Sequence, residues 1–244
     1  MRTIRTAAAL LALSTLLSGC GAWESFRMSD FAKEDGQTIA SAATAAMREV
    51  TSMRLTGQVV AKGTQVLLDL SMGPDGRCTG TLRTGGSHIA IRRVGDRAWI
   101  KGDEGIYNSV SGGALPPQAL TRLSTSWIPA DDRRILDLCE LDAYLEPFRV
   151  VSLVDRPDGK AGKARGADVA QASDVTVEEE SVDGDRVVKL SADTGEVVWV
   201  LSEAPHYVVR VESASSRDGG ALALSEFNRD VRVEVPSRKD VFRP

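Results

Sequence analysis

Alternation of apolar and polar residues constrains the fold of this 244-residue chain more than any other feature of its sequence. Val66, Leu68, Leu70 and Met72 point to one side of a predicted strand, and most residues between them are polar and point to the other side. Turn-forming dipeptides separate this strand from those that follow: Asp75-Gly76, Gly85-Gly86 and Gly95-Asp96. The segment, which ends with a strand over Ala98–Lys101, is therefore predicted to be an antiparallel meander.

A second meander is predicted in the last third of the chain. Turn-forming residues separate most of its strands, which are Val175–Val182, Arg186–Ser191, Glu196–Ser202, His206–Glu212, Ala221–Phe227 and Val231–Val235. Both meanders together give an α+β chain of about eleven strands with two or three helices. Because so many strands do not lie flat as one open sheet, we expect a curled antiparallel sheet or a sandwich.

Three segments are predicted to be helical. Apolar residues recur at three- and four-residue spacing over Gln37–Val50, with no glycine or proline inside. A short helix is predicted over Gln118–Ser124, and a longer one over Asp131–Leu145, where Asp131 or Asp132 would be the N-cap and Cys139 would lie on the helix. Residues 157–173, rich in glycine, alanine and charge, are predicted to be a loop.

The N-terminus has the pattern of an export signal. Arg2 and Arg5 precede an apolar run over residues 7–17 that is too short to span a bilayer. The sequence Leu17-Ser18-Gly19-Cys20 resembles the lipobox of bacterial lipoproteins. This resemblance implies that residues 1–19 are a signal peptide and that Cys20 becomes a lipidated first residue. Residues 20–35 would then be the lipidated cysteine and its tether, and residues 36–244 the folded domain.

Charge argues against two classes of partner. The net charge is −4, and the loss of Arg2 and Arg5 with the leader brings it to about −6. An acidic domain is not expected to bind nucleic acid or to adhere to anionic lipid through a basic face. We therefore expect attachment to the extracytoplasmic face of the cell membrane through the acyl chains on Cys20, each buried CH₂ contributing about 0.8 kcal/mol.

Each of the three cysteines can be given a role. If lipid occupies Cys20, then Cys78 and Cys139 remain, in a compartment that permits disulfides. A redox or metal pair is the alternative, but the chain has no CxxC motif and its two histidines do not provide zinc-site spacing. We predict a structural Cys78–Cys139 disulfide, with no metal and no cofactor.

Catalytic signatures are weak. His88 lies next to Ser87 on a predicted strand and His206 begins another, yet the chain contains no GxSxG elbow. Three successive glutamates, Glu178-Glu179-Glu180, alternate between the faces of a strand, so a solvated sheet edge is the simpler interpretation. We expect a protein that is not an enzyme.

The apolar side of the sheet has two interpretations. The residues concerned either fill a core or line a groove that could hold an acyl chain. The predicted lining residues are Val66, Leu68, Leu70, Met72, Trp99, Trp199, Leu201 and Val209. A register change of one residue in any strand would move its members to the other face.

The order of elements resembles the actinobacterial lipoproteins of the mycobacterial glycolipid-carrier type, which are similar in fold to the LolA/LolB carriers. That order is lipobox, tether, one amphipathic helix, a meander, a helical interruption and a second meander, over most of residues 36–240. The motifs that carry the likeness are Ser52-Met53-Arg54-Leu55-Thr56-Gly57, Arg97-Ala98-Trp99-Ile100-Lys101-Gly102-Asp103, Val182-Asp183-Gly184-Asp185-Arg186-Val187-Val188-Lys189-Leu190 and Val231-Arg232-Val233-Glu234-Val235-Pro236. The resemblance implies an open half-barrel with helices on one face and a concave face that holds lipid. The Cys78–Cys139 pair departs from this pattern and could tie the helices down.

Three functions are therefore weighed. The first is a membrane-tethered module that binds a lipid or glycolipid in the groove. The second is an envelope sensor or scaffold that binds a protein partner through the same groove. The third, a hydrolase, would require His88 or His206 to be hydrogen-bonded to both a serine and a carboxylate.

Overall fold

The computed structural model describes residues 28–61, 63–130, 133–149, 175–193, 195–215 and 219–243. The predicted signal peptide, Cys20, residues 21–27 of the tether and the predicted loop over residues 157–173 lie outside the described residues. The expectations for those segments therefore stay predictions.

One antiparallel sheet dominates the described part of the chain. Its eleven strands, β1 to β11 in order, are Met53–Ala61, Thr64–Gly73, Arg77–Thr84, Ser87–Val94, Arg97–Gly102, Ile128–Pro129, Val175–Val182, Asp185–Ala192, Glu196–Leu201, Val208–Ser213 and Gly220–Ser225. Their order across the sheet is β6-β5-β4-β3-β2-β1-β11-β10-β9-β8-β7. The two meanders thus join where β1 pairs with β11, and β6 and β7 form the open edges. The predicted α+β fold, an open antiparallel half-barrel, is confirmed.

Six short helices accompany the sheet in these residues. A 3-10 helix at Phe31–Lys33 precedes five α-helices, α1 to α5, at Gly36–Arg48, Glu104–Val110, Pro117–Thr125, Arg133–Asp137 and Leu141–Arg149. The predicted helices near residues 37–50 and 118–124 are α1 and α3. Helix α2 was not predicted; its only strong local signal is Asp103, the N-cap, which accepts a hydrogen bond from the Ile106 amide at 2.9 Å. None of the helices in the described ranges is long and apolar enough to cross a membrane.

The single helix predicted over Asp131–Leu145 is wrong, because the chain turns between α4 and α5. Cys139 lies in this turn and not on a helix. The Leu136 carbonyl accepts hydrogen bonds from the Cys139 amide, at 2.9 Å, and from the Arg93 guanidinium, at 2.8 Å. These bonds replace the i to i+4 pattern that would have continued α4. Asp131 and Asp132, the predicted caps, are not among the described residues.

Helices α1 and α5 cover one face of the sheet, called here the inner face. Ile39 and Met47 from α1 and Leu145 from α5 are fully buried in one cluster with Leu70 and Met72 of β2. Helix α1 is capped at its N-terminus by Asp35, whose carboxylate accepts a hydrogen bond from the Thr38 amide at 3.0 Å. Burial of a large apolar side chain contributes about 1.5–3 kcal/mol, so this cluster fixes the helices against the sheet.

The prediction of a strand over Val231–Val235 is also wrong. This segment follows β11 as an extended chain outside the sheet. It crosses the strands of the first meander: Asp230 pairs with Arg77 of β3 at 3.6 Å, and Glu234 pairs with Arg92 of β4 at 3.4 Å. Alternation in sequence indicates an extended segment with one covered side, whether or not that segment is hydrogen-bonded into a sheet.

Candidate functional site

The cross-strand register assigns each apolar residue to the inner face or to the opposite, outer face. Directly opposed residues of an antiparallel pair lie on the same face. Leu70 is opposite Leu55 on β1 and Gly80 on β3, and Gly80 is opposite Ile91 on β4. Leu55, Leu70 and Ile91 belong to the buried cluster with α1 and α5, which defines their face as the inner one.

The eight residues predicted to line a groove do not come together. Val66, Leu68, Leu70 and Met72 alternate along β2 and lie on the inner face. Leu70 and Met72 are fully buried, so they belong to the core beneath the helices. Only Val66 and Leu68 keep a partly accessible surface on that face.

Trp99, Trp199 and Leu201 lie on the outer face, which corrects their assignment to the groove. Trp99 is opposite Arg92, and the guanidinium of Arg97 lies 5.3 Å from the centroid of its ring. Trp199 is opposite Lys189, and its indole N–H donates a hydrogen bond to Glu180. The physical reason is that successive side chains of a strand point to opposite faces. Each tryptophan directly follows a residue that points to the inner face, so it points to the outer one.

Leu201 and Val209 complete the set. Leu201 is opposite Val187 on the outer face, and Val209 lies at a register shift between Val208 and Arg210 that leaves it without a cross-strand partner. The shift is a β-bulge, which displaces a side chain from the regular alternation. Neither residue extends the inner-face surface of β2.

A continuous strip of half-buried apolar side chains crosses the inner face and is the candidate binding site. Its members, called here the apolar row, are opposed in sequence from β4 to β10: Ile89, Leu82, Leu68, Leu222 and Val211, with Gly57 of β1 between Leu68 and Leu222. All five side chains contact the core cluster and keep part of their surface accessible. Two residues further along each strand the next row is buried, with Ile91, Leu70, Leu55 and Leu224 at most 6% exposed.

Gly57 lies at the centre of the apolar row and leaves a gap between the side chains on either side of it. Its φ is 142°, and a Cβ atom built on it would lie 2.1 Å from the Ala221 carbonyl oxygen of β11. The two strands therefore approach each other where no side chain intervenes. The floor between Leu68 and Leu222 is backbone alone.

Sequence reasoning missed four members of the apolar row: Leu82, Ile89, Val211 and Leu222. A usable signal was present in β3, where Cys78, Gly80 and Leu82 alternate in the same way as the residues of β2, and in β4, where Ile89 and Ile91 do so. In β10 the bulge after Val208 shifts the alternation by one residue. The sequence pattern therefore does not show on which face Val211 lies.

The helices over the inner face are fixed by a covalent and an ionic contact. The predicted Cys78–Cys139 disulfide is confirmed, with Cα atoms 5.6 Å apart, and it joins β3 to the turn between α4 and α5. Arg93, opposite Cys78 on β4, is buried and pairs with Glu140 in the same turn at 2.6 Å. The helices are therefore held at the end of the sheet where these strands meet the turn.

Among the residues that the structure describes, neither histidine joins a serine to a carboxylate in a catalytic triad. His88 contacts the Asp103 carboxylate through Nδ1, at 2.9 Å, and through its backbone amide, at 2.8 Å. Burial alone would raise the pKa of Asp103, but hydrogen bonds from the Ile106 and His88 amides and the Ser87 hydroxyl lower it overall. Ser87 thus donates to the carboxylate that His88 also contacts, and the arrangement does not activate a nucleophile.

His206 is placed by packing. Its ring stacks on Phe31 with centroids 3.8 Å apart, and Nδ1 lies 3.0 Å from the Leu201 carbonyl oxygen. These contacts join the N-terminal 3-10 helix to the turn between β9 and β10. Its described partners include no serine and no carboxylate.

The three glutamates lie on β7, an edge strand as predicted, but the expectation that they are solvated is wrong for Glu179, whose side chain is 8% exposed. Glu178 pairs with Lys189 at 3.0 Å on the outer face, whereas Glu179 turns inward and accepts hydrogen bonds from the Ser29 amide, the Ser202 hydroxyl and Arg186. Burial would raise the pKa of the Glu179 carboxyl, and these hydrogen bonds lower it overall. No group of three or more potential metal ligands converges within the described ranges.

Comparison with known proteins gives a fold. No protein-family model and no curated protein matches this sequence. Among solved structures, LprF from Mycobacterium bovis is 14% identical, with a TM-score of 0.53 over 83% of this chain and 97% of that one. The chain has the LprF fold. The resemblance to mycobacterial lipoproteins is thus confirmed at the level of the fold.

Two more distant structures also match. The lipoprotein LppX from Mycobacterium tuberculosis is 12% identical, with a TM-score of 0.47, and covers 82% of this chain and 98% of its own. A LolA superfamily protein from Nitrosomonas europaea is 11% identical, with a TM-score of 0.20, and covers 86% of this chain and 98% of its own.

Proposed function

We propose that this protein is a non-enzymatic extracytoplasmic lipoprotein that binds an acyl chain of a lipid or glycolipid along the apolar row. The observation that carries the proposal is a series of five half-buried apolar side chains across six strands, from Ile89 to Val211, interrupted only at Gly57 of β1. The LprF fold supports it, since this open half-barrel leaves one sheet face for helices and for a ligand.

The dimensions of the row suit an extended hydrocarbon chain. Five spacings between six strands give about 24 Å. One leaflet of a bilayer has a hydrocarbon thickness of about 15 Å, so a lipid acyl chain would fit along the row. Apolar burial contributes about 25 cal/mol per Å², and the row offers few polar groups that would distinguish headgroups.

The binding test uses two adjacent leucines of β2. Leu68 lies in the apolar row, whereas Leu67 is opposite Arg83 on the outer face and is 47% exposed. We expect Leu68→Gln to weaken binding of a fluorescent fatty acid to residues 21–244 by about tenfold, because a polar amide replaces about 1.5 kcal/mol of apolar contact. Leu67→Gln, the matched control, should bind as the unchanged protein does.

Native mass spectrometry of the same protein, followed by organic extraction, identifies what co-purifies with it. A stoichiometric acylated species that is lost in Leu68→Gln would support the proposal. A clean apo mass together with no binding of the fatty acid would contradict it and would mean that the concave face is a filled core, so that protein partners should be sought instead.

We propose further that Cys20 anchors the protein to the membrane. Lipidation of this cysteine adds buried CH₂ groups at about 0.8 kcal/mol each, so two or three chains give stable attachment. In Cys20→Ala the acylated mass should disappear from the mature protein. A Cys20→Ala chain that still carries the acylated mass would contradict this proposal.

A further inference from the structure

A concave basic surface lies where residues 238–243 meet α3. The proposed lipid-binding function does not use it. The concavity has a volume of about 490 Å³. Its lining, called here the basic pocket, consists of Arg122, Ser126, Arg238, Lys239, Val241, Phe242 and Arg243. Four of these seven residues are cationic and none is acidic, in a chain whose net charge is −4.

The contacts that organise the pocket are made to backbone carbonyls and to an aromatic ring. Arg122 donates a hydrogen bond to the Arg243 carbonyl at 2.6 Å, and its guanidinium lies 5.0 Å from the centroid of the Phe242 ring. Arg243 in turn donates to the Arg238 carbonyl at 3.3 Å. A carbonyl or a ring orients a guanidinium without neutralising it, so these contacts hold like charges together.

Two described carboxylates lie near these cations, one next to Lys239 in sequence and one hydrogen-bonded to the neighbour of Arg122, and neither forms an ion pair with them. Asp240 accepts a hydrogen bond from the Ser237 hydroxyl at 2.6 Å, and Glu104 accepts one from the Thr121 hydroxyl at 2.8 Å. Among the described residues, none of the four cations forms an ion pair with a carboxylate. A bound anion would therefore reduce the repulsion between the four cations.

The segment that carries three of the cations is fixed in place. The Trp127 amide donates to the Asp240 carbonyl at 2.7 Å, and the Phe242 amide donates to the Trp127 carbonyl at 2.8 Å. These bonds form a short parallel bridge between Trp127 and Val241, next to the end of α3. The cations thus stand around a preformed concavity and not on a free tail.

We propose that the basic pocket binds a phosphate-bearing anion. Guanidinium groups present paired N–H donors that match the oxygen atoms of a phosphate, and an ammonium group adds a compact charge. Ser126 supplies a hydroxyl that can donate to the same oxygens. The same chemistry is found in free phosphate compounds and in the headgroups of anionic phospholipids.

The test measures both sources on the full-length chain in a non-ionic detergent. Isothermal titration calorimetry at low ionic strength is carried out with inorganic phosphate and, separately, with glycerophosphoglycerol, the deacylated headgroup of phosphatidylglycerol. Saturable binding of inorganic phosphate alone identifies a free phosphate compound as the ligand, and binding of glycerophosphoglycerol identifies a phospholipid headgroup. Either result supports the proposal, provided that added NaCl weakens the binding.

Paired variants locate the binding. In Arg238→Gln with Lys239→Gln, two exposed cations of the pocket lose their charge, and we expect an affinity at least about tenfold weaker. Lys33→Gln with Arg232→Gln removes the same number of charges from exposed ion pairs outside the pocket and should leave the affinity unchanged. The proposal is overturned if neither ligand binds the unchanged protein, or if both double variants bind as it does.

Discussion

Cys78 and Arg93 lie directly opposite each other on β3 and β4, and both side chains hold the turn between α4 and α5. The cysteine holds it through the disulfide to Cys139, and the arginine through the Leu136 carbonyl and the Glu140 carboxylate. A charged side chain on the inner face is thus neutralised at the point where the sheet is covalently tied to its helices.

Replacing Arg93 by methionine should destabilise the protein by about 2 kcal/mol, because the Gly95 and Leu136 carbonyls and the Glu140 carboxylate would lose a charged hydrogen-bond donor. The Arg93 side chain is only 7% exposed, so water does not readily replace these contacts. Urea unfolding followed by circular dichroism measures the change. Arg83→Met, on the outer face of β3, is the control and should stay within about 0.5 kcal/mol. Equal midpoints for both variants would show that the turn does not depend on Arg93.

Removing the disulfide should cost more. Cys78→Ala combined with Cys139→Ala opens a loop of 61 residues, for which the chain-entropy model gives about 4 kcal/mol. The free energy of unfolding of the double variant should be lower by that order, and reductant should bring the unchanged protein to a similar value without affecting the variant. A loss below about 1 kcal/mol would mean that packing of the buried turn, and not the cross-link, holds the helices.

The strands and most turns were predictable because their signals are local. Alternation within β2 and the glycine turns that follow it depend only on neighbouring residues, and the structure places those strands as expected. Val231–Val235 shows the limit of the same signal. One side of this segment is indeed covered, since Val231 is buried. The segment packs against the outer face of the first meander, however, and does not pair with an adjacent strand.

The candidate site was less predictable because a face assignment needs the register. In β9 every residue from Val197 to Leu201 is apolar, so alternation does not distinguish its two sides. Pairing with β8 and β10 decides that Val198 and Val200 lie inward and Trp199 lies outward. Pairings over long sequence separations, such as β1 with β11, leave no local trace in the sequence.

Glu179 should make stability depend on pH. Its carboxyl has a lowered pKa in the folded state, so its contribution is fully present above the ordinary value of 4.5 and is lost as pH falls through the folded-state value. We expect Glu179→Gln to lower the free energy of unfolding at pH 7 by about 2 kcal/mol, since three donors then face a neutral amide. The difference between the two proteins should shrink below about pH 4.5.

Glu178→Gln provides the control for that measurement. This neighbouring carboxylate is on the other face of β7, 63% exposed, and pairs with Lys189 in solvent. Its replacement should change stability by less than about 0.5 kcal/mol at any pH. A Glu179→Gln difference that persists unchanged down to pH 3 would show that shape, and not charge, accounts for the effect.

Gly57 should tolerate no side chain. In Gly57→Ala the new Cβ would meet the Ala221 carbonyl oxygen, and the backbone would keep a φ of 142° that favours glycine. Gly63→Ala separates these two effects, because Gly63 also has a positive φ, 77°, but has no atom within 4 Å of an added Cβ. Unfolding in urea should show a loss of about 1–2 kcal/mol for Gly63→Ala, from backbone strain alone. The loss for Gly57→Ala should be clearly larger, because β1 and β11 must separate at the centre of the apolar row. Equal losses for the two variants would contradict this prediction. They would mean that β1 and β11 can accommodate a methyl group at position 57 without additional cost.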